Sequence, residues 1–111
     1  MPEPIFHLVP TEEWSGDAPH YTPPSLADEG FVHCSEARQV ARVADALFAG
    51  RQDLLLVEID PSKLSARVIW EDLYGLDEDF PHVYGPIDRA AVNQVSPYRP
   101  DERGRFVRDV P

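Results

Sequence analysis

Three of the four histidines in this sequence lie within apolar stretches, where an imidazole is more informative than in a polar loop. His7 is at the centre of IFHLV, His33 ends FVH, and His82 lies in FPHVYGP. An imidazole can act as a general acid or base, hydrogen-bond a ligand or bind a metal. These three side chains are therefore the first candidates for a functional site.

Other side chains with useful chemistry lie close to these histidines. Ser35 follows His33 by two residues, Glu71 follows Trp70, and Tyr84 shares one side of an extended segment with His82. In a metal-free cleft, His and Tyr would fix a small-molecule ligand by hydrogen bonds, Trp would stack on it, and the carboxylate would steady a developing cation or act as a base.

Two alternatives use the same residues. Three imidazoles with Glu71 would match the ligands of a catalytic zinc or a 2-His-1-carboxylate iron, but no HxH or HExxH spacing is present, and no metal is expected. The side chains could also satisfy one another within a core. The sequence contains no Ser-His-Asp arrangement, P-loop or GxGxxG motif that would indicate a different chemistry.

The elements that position these residues centre on residues 30–50. A short buried strand at 31–34 is predicted to turn at Ser35 into an amphipathic helix ending at Gly50, with Ser35 as its N-cap. The apolar positions follow the spacing of one helical face: Ala37, Val40, Ala41, Ala44, Leu47 and Phe48. Cys34 alternates with His33, so we expect a buried, inert thiol on the opposite face.

The remaining sequence predicts strands around this helix. They are expected at 5–9, 53–60, 67–72 and 91–98, with extended structure at 80–86 and a last strand at 105–107 after a turn at Gly104. A helical turn is predicted at 11–14, and residues 53–60 and 67–72 are predicted to pair as a hairpin. Residues 17–29 are interpreted as a loop that could cover the cleft through His20 and Tyr21, and residues 77–79 as an acidic, flexible segment.

This order predicts an α+β fold in which one dominant helix packs on a mostly antiparallel sheet. At 111 residues the chain is one domain, 1–111. The formal net charge of −10 argues against DNA and disfavours RNA, because affinity for phosphate backbones depends on clustered Lys and Arg. No membrane segment or signal peptide is visible, so cytoplasmic residence is the default expectation, and the sequence does not identify a partner protein.

In order along the chain, IFHL, GFVHCS, DLLLVEID, VIWED and FPHVYGPI resemble the blocks of a small bacterial and plant family, domain of unknown function nine-five-two. The resemblance covers residues 4–98 and implies a fold group without a reaction. A histidine in the first strand and a V-H-x-S block before a helix also look like the ADP-ribosyltransferase superfamily, in particular the NAD-using RNA 2′-phosphotransferases.

That second resemblance implies NAD as cofactor and assigns roles to residues. His7 would contact the NAD ribose, and His33 with Ser35 would lie beside the nicotinamide; Glu71 is the candidate late acid, although it has no motif match. Trp70, His82 and Tyr84 would complete the ligand contacts. The leading hypothesis is thus an ADP-ribosyltransferase-like enzyme. The alternatives are a non-catalytic ligand- or protein-binding module on the same fold and, third, a metal-dependent hydrolase.

Overall fold

The computed structural model describes residues 3–14 and 16–106. Within them the strands are β1 (Ile5–Pro10), β2 (His20–Tyr21), β3 (Val32–His33), β4 (Leu54–Ile59), β5 (Arg67–Glu71), β6 (Phe80–Tyr84), β7 (Ile87–Asp88) and β8 (Val92–Tyr98). The α-helices are α1 (Pro24–Glu29) and α2 (Ala37–Leu47), and single 3₁₀ turns occupy Thr11–Glu13, Pro61–Lys63 and Arg89–Ala91. The fold is α+β, as the sequence predicted.

The described strands pair antiparallel in three small sheets. β4 lies between β1 and β8, β6 lies between β3 and β5, and β2 pairs with β7. The predicted hairpin of residues 53–60 with 67–72 is therefore wrong, because β4 and β5 belong to different sheets. The 3₁₀ turn that begins at Pro61 separates them, and β5 instead pairs with β6 across the loop of residues 72–79.

α2 is the longest of the described helices and packs on the β1–β4–β8 sheet. Its buried residues Val40, Ala41 and Ala44 share a core cluster with Phe6, Leu54, Leu56, Tyr98 and Phe106. The helix begins one residue later than predicted because Glu36, not Ser35, is its N-cap. The Glu36 side chain and Gln39 form a reciprocal capping box, while the backbone of Ser35 pairs with Phe6 instead.

A second core cluster fills the space between the sheets, where Val9 of β1, Val32 of β3, Val57 of β4 and Val83 of β6 meet. Cys34 belongs to this cluster and is 4% exposed. Burial raises the pKa of its thiol far above the usual range. The predicted buried, inert thiol is confirmed in its placement.

Two other predictions differ from the structure. Residues 17–29 are not a plain loop, since they contain β2 and α1, which begins at a proline and ends at Gly30 in the left-handed region (φ 86°). The turn at Gly104 is present, with its N–H donating to the Asp101 carbonyl. Residues 105 and 106 are not in a strand, and residue 107 lies outside the described residues.

Candidate functional site

A cleft of about 720 Å³ opens between β1, the turn from β3 into α2, the second half of α2 and the loop of residues 72–79. Most of its wall is apolar, contributed by side chains such as Phe6, Val43 and Phe48. A few hydrogen-bonding side chains reach the same wall: His7, Tyr21, His33, Ser35 and Tyr74. A mostly apolar cleft of this size with a few converging polar groups is typical of small-molecule sites.

β1 and the turn after β3 are held together by backbone hydrogen bonds. The N–H of Phe6 donates to the Ser35 carbonyl, and the N–H of Ser35 donates to the Phe6 carbonyl, each at 2.8 Å. This bridge brings the first-strand histidine beside the V-H-x-S block, although 26 residues separate His7 from His33. The two sequence blocks singled out for their histidines therefore meet at one place in the fold.

His7 is buried, and the structure fixes its tautomer. Its Nδ1 lies 2.7 Å from the His33 carbonyl, which only accepts, so Nδ1 carries the proton. Its Nε2 lies 3.2 Å from the Tyr21 hydroxyl and accepts from it. The pKa of His7 is lowered to about 4, mainly by burial and to a smaller extent by the nearby His33, while the hydrogen bond to the His33 carbonyl acts in the opposite direction. His7 is thus a neutral imidazole whose two nitrogens are both engaged.

A continuous series of hydrogen bonds leads from the cleft to the face of the β3–β6–β5 sheet. We call it the His–Tyr network; it consists of Glu29, His33, Tyr74, His82 and Glu71. From the outside inwards, Glu29 Oε1 lies 2.9 Å from His33 Nε2, and His33 Nδ1 lies 2.5 Å from the Tyr74 hydroxyl. That hydroxyl lies 3.1 Å from His82 Nε2, and His82 Nδ1 lies 3.0 Å from Glu71 Oε1.

Sheet geometry explains why these residues meet. β3 and β6 pair His33 with His82, and β5 and β6 pair Ile69 with His82, so side chains two residues away on β5 and β6 share that face. Glu71 and Tyr84 lie on it for this reason, and the Tyr84 hydroxyl donates to Glu71 Oε1. That hydrogen bond, followed by the one to His82, lowers the pKa of Glu71 below its usual range.

Phe31 packs against both imidazoles of the network. Its ring stacks on His82 with 4.3 Å between centroids and an angle of 29°, and it lies 4.9 Å from the His33 ring. Both Phe31 and His82 are buried, whereas the His33 side chain is 38% exposed. The network therefore joins an accessible imidazole to an inaccessible one.

Tyr74 is held in place by its loop, which is anchored at both ends. The Asp72 carboxylate accepts from the N–H groups of Leu76 and Asp77 at 3.0 and 2.8 Å. Further along, Glu78 Oε2 accepts from Gln39 Nε2 at 2.8 Å and from Arg42 Nη2 at 2.6 Å. Residues 77–79 were predicted to be a flexible segment. In the structure Glu78 is instead bound to α2, because the buried Gln39 and Arg42 on the next turn both donate to its carboxylate.

Of the seven predicted site residues, His7, His33 and Ser35 line the cleft. Glu71, His82 and Tyr84 do not; they join one another on the sheet face and reach the cleft through Tyr74. A direct role for Glu71 on a ligand and a direct contact by His82, which is 0% exposed, do not fit these positions.

Trp70, predicted to be a flat wall of the site, does not line this cleft. Its side chain lies on the opposite face of β5 from Glu71, because successive side chains of a strand alternate. It is 46% exposed and lines a separate groove together with Arg38, Arg42 and Leu76.

Three members of the site are absent from the residues that the sequence predicted: Tyr74, Glu29 and Phe31. Tyr74 was the one with a usable signal, since it is an aromatic residue flanked by Leu73 and Leu76 in an otherwise acidic loop with Gly75. Aromatic side chains that stay exposed in a loop often contact ligands. Partial burial of its hydroxyl end raises the pKa of Tyr74 to about 12, with the charge of Glu29 adding to the effect, so the hydroxyl remains protonated.

The possible charged contacts of the cleft are few. Among the described lining residues Arg51 is the single basic side chain apart from histidine, and its guanidinium donates to both carboxylate oxygens of Asp53 at 2.8 and 2.7 Å.

Within residues 3–14 and 16–106, no three His, Cys, Asp or Glu side chains group in a way that could hold a metal ion. No helix in this part of the chain is long and apolar enough to cross a membrane.

The structure is a small α+β domain with a mostly apolar cleft that His and Tyr side chains help to line. The chain belongs to the family described as "Protein of unknown function (DUF952)", whose model matches residues 8–95. This confirms the first of the two resemblances seen in the sequence; the ADP-ribosyltransferase likeness is not shown by it.

Two solved structures of one bacterial protein are similar to this chain. The crystal structure of protein CC0527 from Caulobacter crescentus is 26% identical, with a TM-score of 0.79 over 94% of this chain and 93% of that one. The solution NMR structure of CC0527 is 25% identical, with a TM-score of 0.73 over 93% and 90% of the two chains. No curated protein matches. The comparisons thus give the family and the fold without an activity.

Proposed function

We propose that this protein binds NAD or an ADP-ribose-containing small molecule in the cleft and transfers ADP-ribose from it. The observation that carries the proposal is the meeting of His7, His33 and Ser35 on one wall of the cleft. These are the residues that match the NAD-site motif of the ADP-ribosyltransferase superfamily. A volume of about 720 Å³ lies within the range of cofactor sites.

In this proposal the ribose lies near His7. Because Nε2 of the neutral His7 now accepts a hydrogen bond from the Tyr21 hydroxyl, it would accept equally from a ribose hydroxyl that replaced it. The nicotinamide would lie towards His33 and the exposed ring of Tyr74, which is parallel to that of His33 within 18°. Arg51 is the cation available to the pyrophosphate, and its bonds to Asp53 would have to be exchanged for it.

The proposed chemistry is loss of nicotinamide from the ribose carbon. The C–N glycosidic bond breaks, its electron pair leaves with nicotinamide, and an oxocarbenium-like ribose remains for the acceptor to attack. Glu71 is linked to the cleft through His82 and Tyr74. It would support that positive charge as a positioning residue rather than by touching the ribose.

Ligand-induced thermal stabilisation tests the binding step. NAD or ADP-ribose at about 100 times its dissociation constant should add about 2.7 kcal/mol to the free energy of unfolding. That gain is roughly 10 °C in Tm for a domain of this size. His33→Ala should remove the shift. His20→Ala is the matched control, because its imidazole contacts Asp88 outside the cleft and should leave the shift unchanged. Equal shifts in all three proteins, or none with any of these nucleotides, would refute the proposal.

A non-catalytic binding module is the second candidate, and a specific observation favours it: the only acid proposed for catalysis, Glu71, does not line the cleft. Chromatographic detection of nicotinamide released from NAD separates the two. An enzyme should release nicotinamide, and Glu71→Gln should lose turnover while keeping the NAD-induced thermal shift. A binding module should show the shift and no release in either protein.

A further inference from the structure

The His–Tyr network contains four hydrogen bonds, which is one more than the number of protons that its side chains can donate when both histidines are neutral. Its four links are Glu29 to His33, His33 to Tyr74, Tyr74 to His82 and His82 to Glu71. Each link needs one proton between its two heavy atoms. The groups at the two ends are carboxylates, and an ionised carboxylate only accepts hydrogen bonds.

The supply is one proton short. A neutral His33 brings one N–H, a neutral His82 brings one, and the Tyr74 hydroxyl brings one, which makes three protons for four links. If both histidines were neutral, one unprotonated imidazole nitrogen would face either a carboxylate oxygen or the Tyr74 oxygen with no proton between the two atoms. That repulsion is inconsistent with nitrogen to oxygen distances of 2.5 to 3.1 Å at every link.

We propose that the network holds one extra proton, shared between His33 and His82 through the hydroxyl of Tyr74, and so works as a proton relay into the cleft. In one arrangement His33 is the imidazolium: its Nδ1–H donates to Tyr74, whose O–H donates to His82 Nε2. In the other arrangement His82 is the imidazolium, its Nε2–H donates to Tyr74, and the Tyr74 O–H donates to His33 Nδ1.

The two arrangements interconvert without a phenolate. As the proton on His33 Nδ1 passes to the Tyr74 oxygen, the proton of Tyr74 passes to His82 Nε2, and the tyrosine is neutral before and after. The positive charge thereby moves between rings whose centroids are 5.7 Å apart. The raised pKa of Tyr74, about 12, is consistent with a hydroxyl that conducts protons while remaining protonated overall.

The surroundings of each ring stabilise the charge in both positions. On His33 it faces Glu29, whose carboxylate lies 2.9 Å away. On His82 it faces Glu71, and the stacked Phe31 ring adds a cation–π contact. The other titratable groups near the network are neutral by position: Tyr84 donates to Glu71, His7 has its pKa lowered to about 4, and burial keeps the Cys34 thiol protonated.

The relay supplies the cleft with one acidic proton at His33, which can come from His82 through Tyr74 when the charge lies on His82. Glu29 is 49% exposed, so a ligand oxygen can take the place of its carboxylate at His33 Nε2. The ligand atom served is therefore an oxygen that bears negative charge or develops it. This inference concerns the protein's own side chains and stands whether or not the ligand is NAD.

Long-range ¹H–¹⁵N NMR correlations of the imidazole rings in the ligand-free, full-length protein test the relay at pH 7. The expected result is three protonated nitrogens in total over the His33 and His82 rings. Tyr74→Phe removes the hydroxyl that links them, and the total should fall to two, one on each ring. Tyr84→Phe is the matched control, since it removes a hydroxyl outside the four links and should keep the total at three.

Tyr74 is 44% exposed, so its phenylalanine variant should fold, and the backbone amide spectrum verifies this. Two neutral rings in the wild-type protein would overturn the inference. So would a total of three that persists in Tyr74→Phe. Neither result bears on NAD binding, which the thermal shift measures separately, so failure of the relay and failure of the proposed function are distinguishable.

Discussion

Gln39→Ala removes the buried one of the side chains that join α2 to the loop carrying Tyr74. Gln39 is 0% exposed, and its side-chain amide makes three hydrogen bonds, all of them to other groups of the protein. Its Nε2 donates to Glu78 Oε2 at 2.8 Å and to the Asp79 carbonyl at 2.9 Å, and its Oε1 accepts from the N–H of Glu36 at 2.8 Å. At about 1 kcal/mol for each hydrogen bond, the variant should lose about 3 kcal/mol of unfolding free energy.

For a chain of this length that loss corresponds to roughly 12 °C in Tm. Urea unfolding followed by circular dichroism measures the free energy, and a thermal melt measures the shift. Arg38→Ala is the control: its guanidinium is 68% exposed and lies 2.9 Å from Glu36 Oε2 and 3.4 Å from Glu78 Oε2, and such exposed ion pairs should cost about 0.5 kcal/mol or less when lost. A loss below 1 kcal/mol in Gln39→Ala would show that Gln39 does not anchor the loop.

Three further predictions concern single groups. His7 is protonated near pH 6.5 in the unfolded chain but only near pH 4 in the folded protein, so the free energy of unfolding should fall as the pH drops from 6.5 to 4. In urea unfolding, the wild-type protein should therefore lose about 3 kcal/mol more than His7→Gln between pH 7 and pH 4. Hydrogen bonds from Arg42 and Gln39 lower the pKa of Glu78 to about 2, so its contribution is present above pH 4.5 and lost as pH falls towards 2; acid unfolding of Glu78→Gln should be correspondingly flatter over that range. Cys34 should resist thiol reagents in native buffer and react completely in urea, and rapid native labelling would contradict its burial.

Residues whose environment is set locally were predictable from the sequence. The amphipathic spacing of α2 and the apolar runs of β1 and β4 identify these elements without knowledge of their partners, and the structure confirms them. The Ser35 N-cap was mistaken because Glu36 with Gln39 offers a reciprocal capping box, while tertiary pairing with β1 takes the Ser35 backbone.

The parts that depend on long-range pairing were not predictable in the same way. The predicted hairpin of β4 with β5 is wrong because side-chain packing in the two core clusters decides which strands pair, and β4 lies between β1 and β8. The face on which Trp70 lies follows from the register of β5 with β6, and a shift of one residue would exchange it with Glu71. The His–Tyr network could not be predicted from the sequence, because its two histidines on β3 and β6 are joined by Tyr74, which lies in a loop.

A ¹H–¹⁵N correlation titration of the labelled protein with NAD and with ADP-ribose is the most direct test of nucleotide binding in the cleft. We expect saturable shifts of the backbone amides of His7, His33, Ser35 and Tyr74, and the loss of these shifts in His33→Ala. Shifts confined to the groove beside Trp70, or none at millimolar nucleotide, would contradict it.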